Sequence, residues 1–173
     1  MKKIFNIVGF QICWWLCVLF STKSYSFIGP LFMSIYLIIH FIYISNNKID
    51  VKLILIVGLI GTFFDSLFVV FDIFAYSGSF IILSDIAPLW ITSMWVGFAT
   101  TINYSLDWIN KNYYLAFIMG FIFGPLSYVT GREFGAIQFL VSDILGLSIL
   151  ALAWGLIIPM IVYINRSLIG MRS

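Results

Sequence analysis

Two aspartates are the costliest residues in this chain, because each lies in an apolar run where a carboxylate gives up its water. Asp65 stands in GTFFDSLF and Asp143 in VSDIL. A carboxylate at membrane depth costs about 3 kcal/mol on insertion scales, so each is expected to face the protein interior with a partner or to stay protonated. Depth arithmetic on the helices described below puts the two level, each about 9 Å from the outer end of its helix at ~1.5 Å per residue. Paired acids that share a proton are the chemistry of aspartic peptidases. Arg132 and Glu133 fall at the corner above them, with Tyr128 and Gln138 to either side, and an Arg over two acids supplies a counter-ion. Asp65, Asp143, Arg132, Glu133, Tyr128 and Gln138 thus make an expected outer polar cluster. Asn6, Gln11, His40, Asn103 and Asp107 make a second, inner one, in the opposite halves of the first, second and fourth helices. Two polar clusters bracketing an apolar middle suit a pathway, and they equally suit plain interhelical hydrogen bonding.

The elements that position these residues follow from composition. Of the 173 residues, 62% are hydrophobic and 9% charged, far from soluble globular values. At about 20 residues per span, six spans use roughly 120 and leave only short loops. The apolar runs place spans near 4–22, 27–45, 53–71, 88–108, 113–130 and 136–164, so a single all-α transmembrane domain is expected. The first run follows Lys2 and Lys3 and is read as a retained helix, since it is long for a signal peptide and carries Gln11, Trp14 and Trp15. Residues 72–87 are too apolar for a solvated loop, and are read as interfacial or re-entrant.

Small residues suggest where helices meet. Ser93, Gly97 and Thr101 form one ladder and Gly120 and Gly124 another, and such ladders let backbones approach in lipid. Val96, off the first ladder, is expected to meet lipid. Cys13 and Cys17 lie one turn apart, too poorly placed for a disulfide, and read as packing residues. The lone His40 cannot build a zinc or haem site, and its commoner role is a hydrogen-bonded packing contact. No metal or other cofactor is expected.

Orientation comes from the cations. Lys2, Lys3, Lys48, Lys52, Lys111, Arg166 and Arg172 fall on one side of the six-span scheme, and Lys23 and Arg132 on the other. The positive-inside rule then makes both termini cytoplasmic. The basic residues never form a patch, so nucleic acid is not an expected partner; the lipid bilayer is.

The known intramembrane enzymes leave no matching motif. Asp65 and Asp143 lack the GxGD pattern of presenilin-like peptidases and the Asn-rich aspartate boxes of lipoprotein signal peptidases. GPLSY is not the serine box of rhomboid peptidases, and the chain holds no P-loop, HExxH or CxxC.

GTFFDSLF, PLWITSMWVGFATTINYSLDW and GPLSYVTGREFGA together resemble a domain-of-unknown-function family of small, multi-pass bacterial inner-membrane proteins. The resemblance covers nearly the whole chain. It implies a bacterial inner membrane and transfers no reaction, ligand or functional residue. The leading expectation is an integral membrane protein that binds or moves a small or lipidic molecule through an outward-facing polar pocket. The alternatives are an accessory subunit, using the small-residue ladders as contacts to a partner helix or a second copy, and a lipid-modifying enzyme.

Overall fold

A computed structural model describes residues 1–22, 25–45, 48–78 and 84–170. Lys23, Arg172 and the middle of the 72–87 segment, three elements of the expectations above, include or are residues outside that set. Six helices account for the fold: α1 Lys2–Ser21, α2 Ile28–Tyr43, α3 Lys48–Val70, α4 Leu89–Ala99, α5 Tyr113–Glu133 and α6 Asp143–Gly170. Two short strands, β1 Phe74–Tyr76 and β2 Ile137–Phe139, join them. Four of the helices, α1, α3, α5 and α6, are long and apolar enough to cross a membrane, whereas α2 and α4 are apolar but shorter. Their outer faces carry Leu59, Phe63, Ile144 and Leu156, each at least 60% exposed. Such an apolar belt requires a non-aqueous surround.

The chain folds as up-and-down pairs. α1 packs on α2, α3 on α4 and α5 on α6, while α4 also contacts α1 and α2 and so sits at the centre. The α5–α6 seam depends on Gly120 and Gly124, since a Cβ on either would collide with Trp154 of α6. This is the close approach the GxxxG spacing promises.

α3 begins at Lys48 rather than residue 53 and α6 runs to Gly170 rather than 164, and two further boundaries differ more. The fourth helix was expected to run to residue 108 but stops at Ala99. Thr100 and Thr101 turn their hydroxyls back onto the carbonyls of Gly97 and Phe98 at 2.7 and 2.6 Å, and i→i+3 bonds carry the chain through residues 101–104. Two consecutive hydroxyls competing for backbone acceptors end the α-helix. A short 3-10 turn, Asp107–Lys111, then leads to α5. The sixth helix was expected from residue 136 but opens at Asp143, because Ile137–Phe139 pair antiparallel with Phe74–Tyr76. This ribbon ties the α3–α4 connection to the α5–α6 corner and closes one end of the bundle. The 72–87 segment, read from sequence as interfacial or re-entrant, holds the strand Phe74–Tyr76 in its described part. The start of α1 and the last turns of α6 lie at the other end: Lys3 meets Asp107, and Arg166 donates to the carbonyl of Asn110.

Candidate functional site

Asp65 is 1% exposed and accepts three hydrogen bonds from three separate elements. Tyr76 Oη of β1 donates to Oδ1 at 2.6 Å, Tyr128 Oη of α5 donates to the same oxygen, and Trp95 Nε1 of α4 donates to Oδ2 at 2.6 Å. Local sequence explains how Trp95 gets there. Gly61 precedes Asp65 by four residues and so shares its face of α3. The Trp95 ring lies on Gly61, where any Cβ would strike it, and this brings the indole nitrogen to the carboxylate. None of the three salt bridges among the described residues includes Asp65.

Asp143 is not its partner. As the first residue of α6 it sits at the surface, its side chain 65% exposed, and it pairs with Arg132 at 3.0 Å. The paired-acid expectation fails because α6 starts later than the apolar run suggests, so Asp143 opens the helix at the surface instead of entering the bundle. Arg132 also contacts Glu133 at 3.3 Å and lies over the Phe139 ring at 4.9 Å. Gln138 is exposed on β2, opposite Ala75. Of the expected outer cluster, then, Asp65 and Tyr128 meet in the core, while Asp143, Arg132 and Glu133 form a separate rim.

The inner cluster also divides. Asn6 is fully buried, donating to Tyr36 Oη at 2.9 Å and to the Thr100 carbonyl at 3.2 Å and accepting from Ser105 Oγ at 2.6 Å. Asn103 belongs to a different network, donating to Asp50 Oδ1 at 2.9 Å and accepting from Asn165 at 2.6 Å. Asp50, 4% exposed, also accepts from Ser45 and from Tyr104 Oη at 2.6 Å. Sequence reading missed it because Asp50 was placed in a polar loop, whereas α3 begins at Lys48. His40 is fully buried between the Tyr104 and Phe41 rings, and neither ring nitrogen has a hydrogen-bond partner among the described residues. The expected hydrogen bond is replaced by edge-on ring contacts. Asp107 is exposed and held by Lys3 at 2.9 Å, which keeps its carboxyl below the usual carboxylate range.

Gln11 points elsewhere, into a cavity of about 510 Å³ bounded by α1, α4, α5 and α6. Five tryptophans line it, Trp14, Trp15, Trp90, Trp95 and Trp154, out of six in the chain. Asp65 and Tyr128 contribute the polar floor and Ser127 part of a wall. The exposed lining residues Gln11 and Trp15 on α1 and Phe123 and Leu126 on α5 mark a mouth between those two helices. Trp15 meets the Phe134 ring at 5.4 Å and closes the cavity toward the ribbon end. The opening is therefore lateral and mainly apolar, not the outward-facing polar pocket expected from sequence. A second hollow of about 530 Å³, between the start of α1 and the end of α2, is walled mainly by apolar side chains and has neither a carboxylate nor an indole.

Residues 3–160 match a family described as a protein of unknown function, DUF2878. The chain belongs to the DUF2878 family. No curated protein and no solved structure matches it. The matched span runs from the start of α1 into α6, so it takes in every residue that lines the cavity of this DUF2878 chain. Tyr76 and Trp95 are the site residues that sequence reading left out. The available signal was the need of a buried carboxylate for donors, which the neighbouring aromatics of helix four could supply.

Proposed function

We propose that this membrane protein binds an amphipathic, lipid-sized molecule that enters sideways from the bilayer between α1 and α5. One observation carries the reading: the indole-lined cavity opens through a gap between two apolar helices, with Asp65 and Tyr128 buried on its inner side and Gln11 at its mouth. Its volume lies within the range of small-molecule sites, which are mostly apolar with a few placed polar groups. A ligand with a hydrocarbon part would remain in contact with lipid at the mouth while its polar part reached Gln11, Ser127 or Tyr128. The use of glycine ladders to contact another subunit finds less support, because Gly97, Gly120 and Gly124 are all packed against other helices of this same chain. The family resemblance favours a bacterial inner membrane, and the charge partition favours chain termini on the cytoplasmic side.

The test uses the clustered indoles as reporters. A fatty alcohol brominated in mid-chain, titrated into the reconstituted protein, should quench tryptophan fluorescence in a saturable phase at low mole fraction. Ser127→Phe, which puts a ring into the cavity, should remove that phase. Quenching that rises only in proportion to mole fraction, alike in both proteins, would refute lateral binding.

A further inference from the structure

The polar lining of the cavity is divided by helix. On the α1 wall the Gln11 carboxamide and the Trp14 and Trp15 indole N–H groups have no hydrogen-bond partner among the described residues. Gln11 stands halfway along α1 and is exposed at the mouth, a depth at which a bare carboxamide in hydrocarbon is costly. On the α5 wall the polar atoms are hydroxyl oxygens whose hydrogens are already donated. Ser127 Oγ donates to the Gly124 carbonyl at 2.7 Å, Thr130 Oγ1 to the Leu126 carbonyl at 2.9 Å, and Tyr128 Oη to Asp65. Each oxygen keeps lone pairs with which to accept. The α1 wall therefore supplies N–H donors and the α5 wall supplies acceptors.

Neither wall supplies a usable charge. No Lys, Arg or His lines the cavity, so a phosphate, sulfate or carboxylate head would enter without a counter-ion. The one lining acid, Asp65, is 1% exposed, and its oxygens are taken by Tyr76, Tyr128 and Trp95, so it presents no free oxygen to a cation. A desolvated site penalises an unmatched charge far more than an unmatched dipole. What this lining can satisfy is an uncharged head that both accepts and donates.

We propose that the occupant is an uncharged lipid carrying a carbonyl beside a free hydroxyl, as a mono- or diacylglycerol does. Its carbonyl accepts from Gln11, its hydroxyl donates to Ser127 or Thr130, and its chain leaves through the mouth between α1 and α5. The proposal rests on the lateral-binding reading above and narrows the ligand to one kind of head.

Four probes with the same chain, dibrominated at its middle, separate the possibilities by head: the monoacylglycerol, the methyl ester, the alkyl sulfate and the alkyltrimethylammonium. Each would be titrated into the full chain in phosphatidylcholine vesicles while tryptophan quenching is followed. The monoacylglycerol should half-saturate at a mole fraction at least about tenfold below either charged probe. It should lie about fivefold below the methyl ester, which accepts but cannot donate. Gln11→Leu should weaken the monoacylglycerol by about fivefold, while its melting temperature stays level or rises because the carboxamide has no partner in the chain to lose. A purely structural Gln11 would give the opposite pair of results. Replacing both α5 hydroxyls, Ser127→Ala with Thr130→Val, should bring monoacylglycerol and methyl ester within about twofold of each other. A charged probe that binds as tightly as the monoacylglycerol, or a monoacylglycerol affinity unchanged in Gln11→Leu, would overturn the assignment. Should Gln11→Leu fail to fold, the α5 double variant decides, and a preference over the methyl ester that survives in it would overturn the assignment too. Four equal saturable phases would do the same while leaving lateral binding intact. Absence of a saturable phase with all four probes and with the brominated alcohol would remove both.

Discussion

Trp95 and Trp154 lie face to face across the centre of the bundle, and the Trp95 Nε1 continues the contact to Asp65 at 2.6 Å. A helix-four residue thus couples the α5–α6 pair to the one buried carboxylate of the cavity. Removing a donor to that carboxylate should be costly. Tyr128→Phe and Tyr76→Phe should each lower stability by about 1–3 kcal/mol, the cost of leaving a buried polar group short of a partner. Because both phenols donate to Oδ1, their effects should not add. Thermal unfolding in detergent of the two single variants and the double variant provides the check, and strict additivity would mean that the phenols act independently of Asp65.

Asp65 and Arg132 should be energetically separate. Arg132 is engaged with Asp143 and Glu133 at the rim, and Asp65 with its three neutral donors. A double-mutant cycle of Asp65→Asn with Arg132→Gln should be additive within about 0.5 kcal/mol. The Arg132–Asp143 cycle should show about 0–1 kcal/mol of coupling, as for other exposed ion pairs. A large Asp65–Arg132 coupling would restore the counter-ion arrangement expected from sequence.

Gly97 lies where a Cβ would collide with Met33 of α2, with the Phe10 ring of α1 close by. Gly97→Leu should therefore destabilise by about 1–3 kcal/mol, as overpacking does. Leu59→Met, at a residue 74% exposed to the apolar surround, should stay within about 0.5 kcal/mol. Val96 is not the lipid-facing control that helix geometry suggested, because its side chain packs beside Gly58. Equal melting shifts for Gly97→Leu and Leu59→Met would show that the α4 face is not an interface.

The tie between Lys3 and Asp107 sets a pH dependence at the terminal end. Lys3 donates to Asp107 and holds its carboxyl below the ordinary value. Its contribution is present above the unfolded carboxyl's pKa and is lost as the pH falls through the lower, folded one. An NMR titration of the Asp107 carboxyl should report a depressed pKa that returns toward the ordinary range in Lys3→Gln. No difference between the two proteins would mean the pair is not formed in solution.

Orientation can be read by labelling. Cys13 and Cys17 are buried, so their background reactivity should be low. In intact cells, Glu133→Cys should react with an impermeant thiol reagent, and Lys111→Cys only after permeabilisation. The reverse pattern would invert the protein in the membrane.

Most of the helices were legible because an apolar run of sufficient length has few other outcomes at this composition. The starts and ends of α1, α2 and α5 and the end of α3 were therefore close to expectation, and the GxxxG seam of α5 was found from spacing alone. The end of α4 and the start of α6 were not legible. One depends on two threonines winning a local competition for carbonyls, and the other on a strand partner far back in the chain, Phe74 standing 65 positions before its counterpart Phe139. The same limit applies to the site. The sequence marked Asp65 as a residue that must be satisfied, since the cost of a bare carboxylate in lipid is a property of the residue and its depth. It could not name the partners, which come from 11, 30 and 63 residues away. Helical periodicity says which residues share a face, but which faces meet is decided by packing over the whole bundle. That packing moved Asp143 to the rim, brought Tyr76 and Trp95 to Asp65, and gathered five tryptophans from α1, α4 and α6 around one cavity.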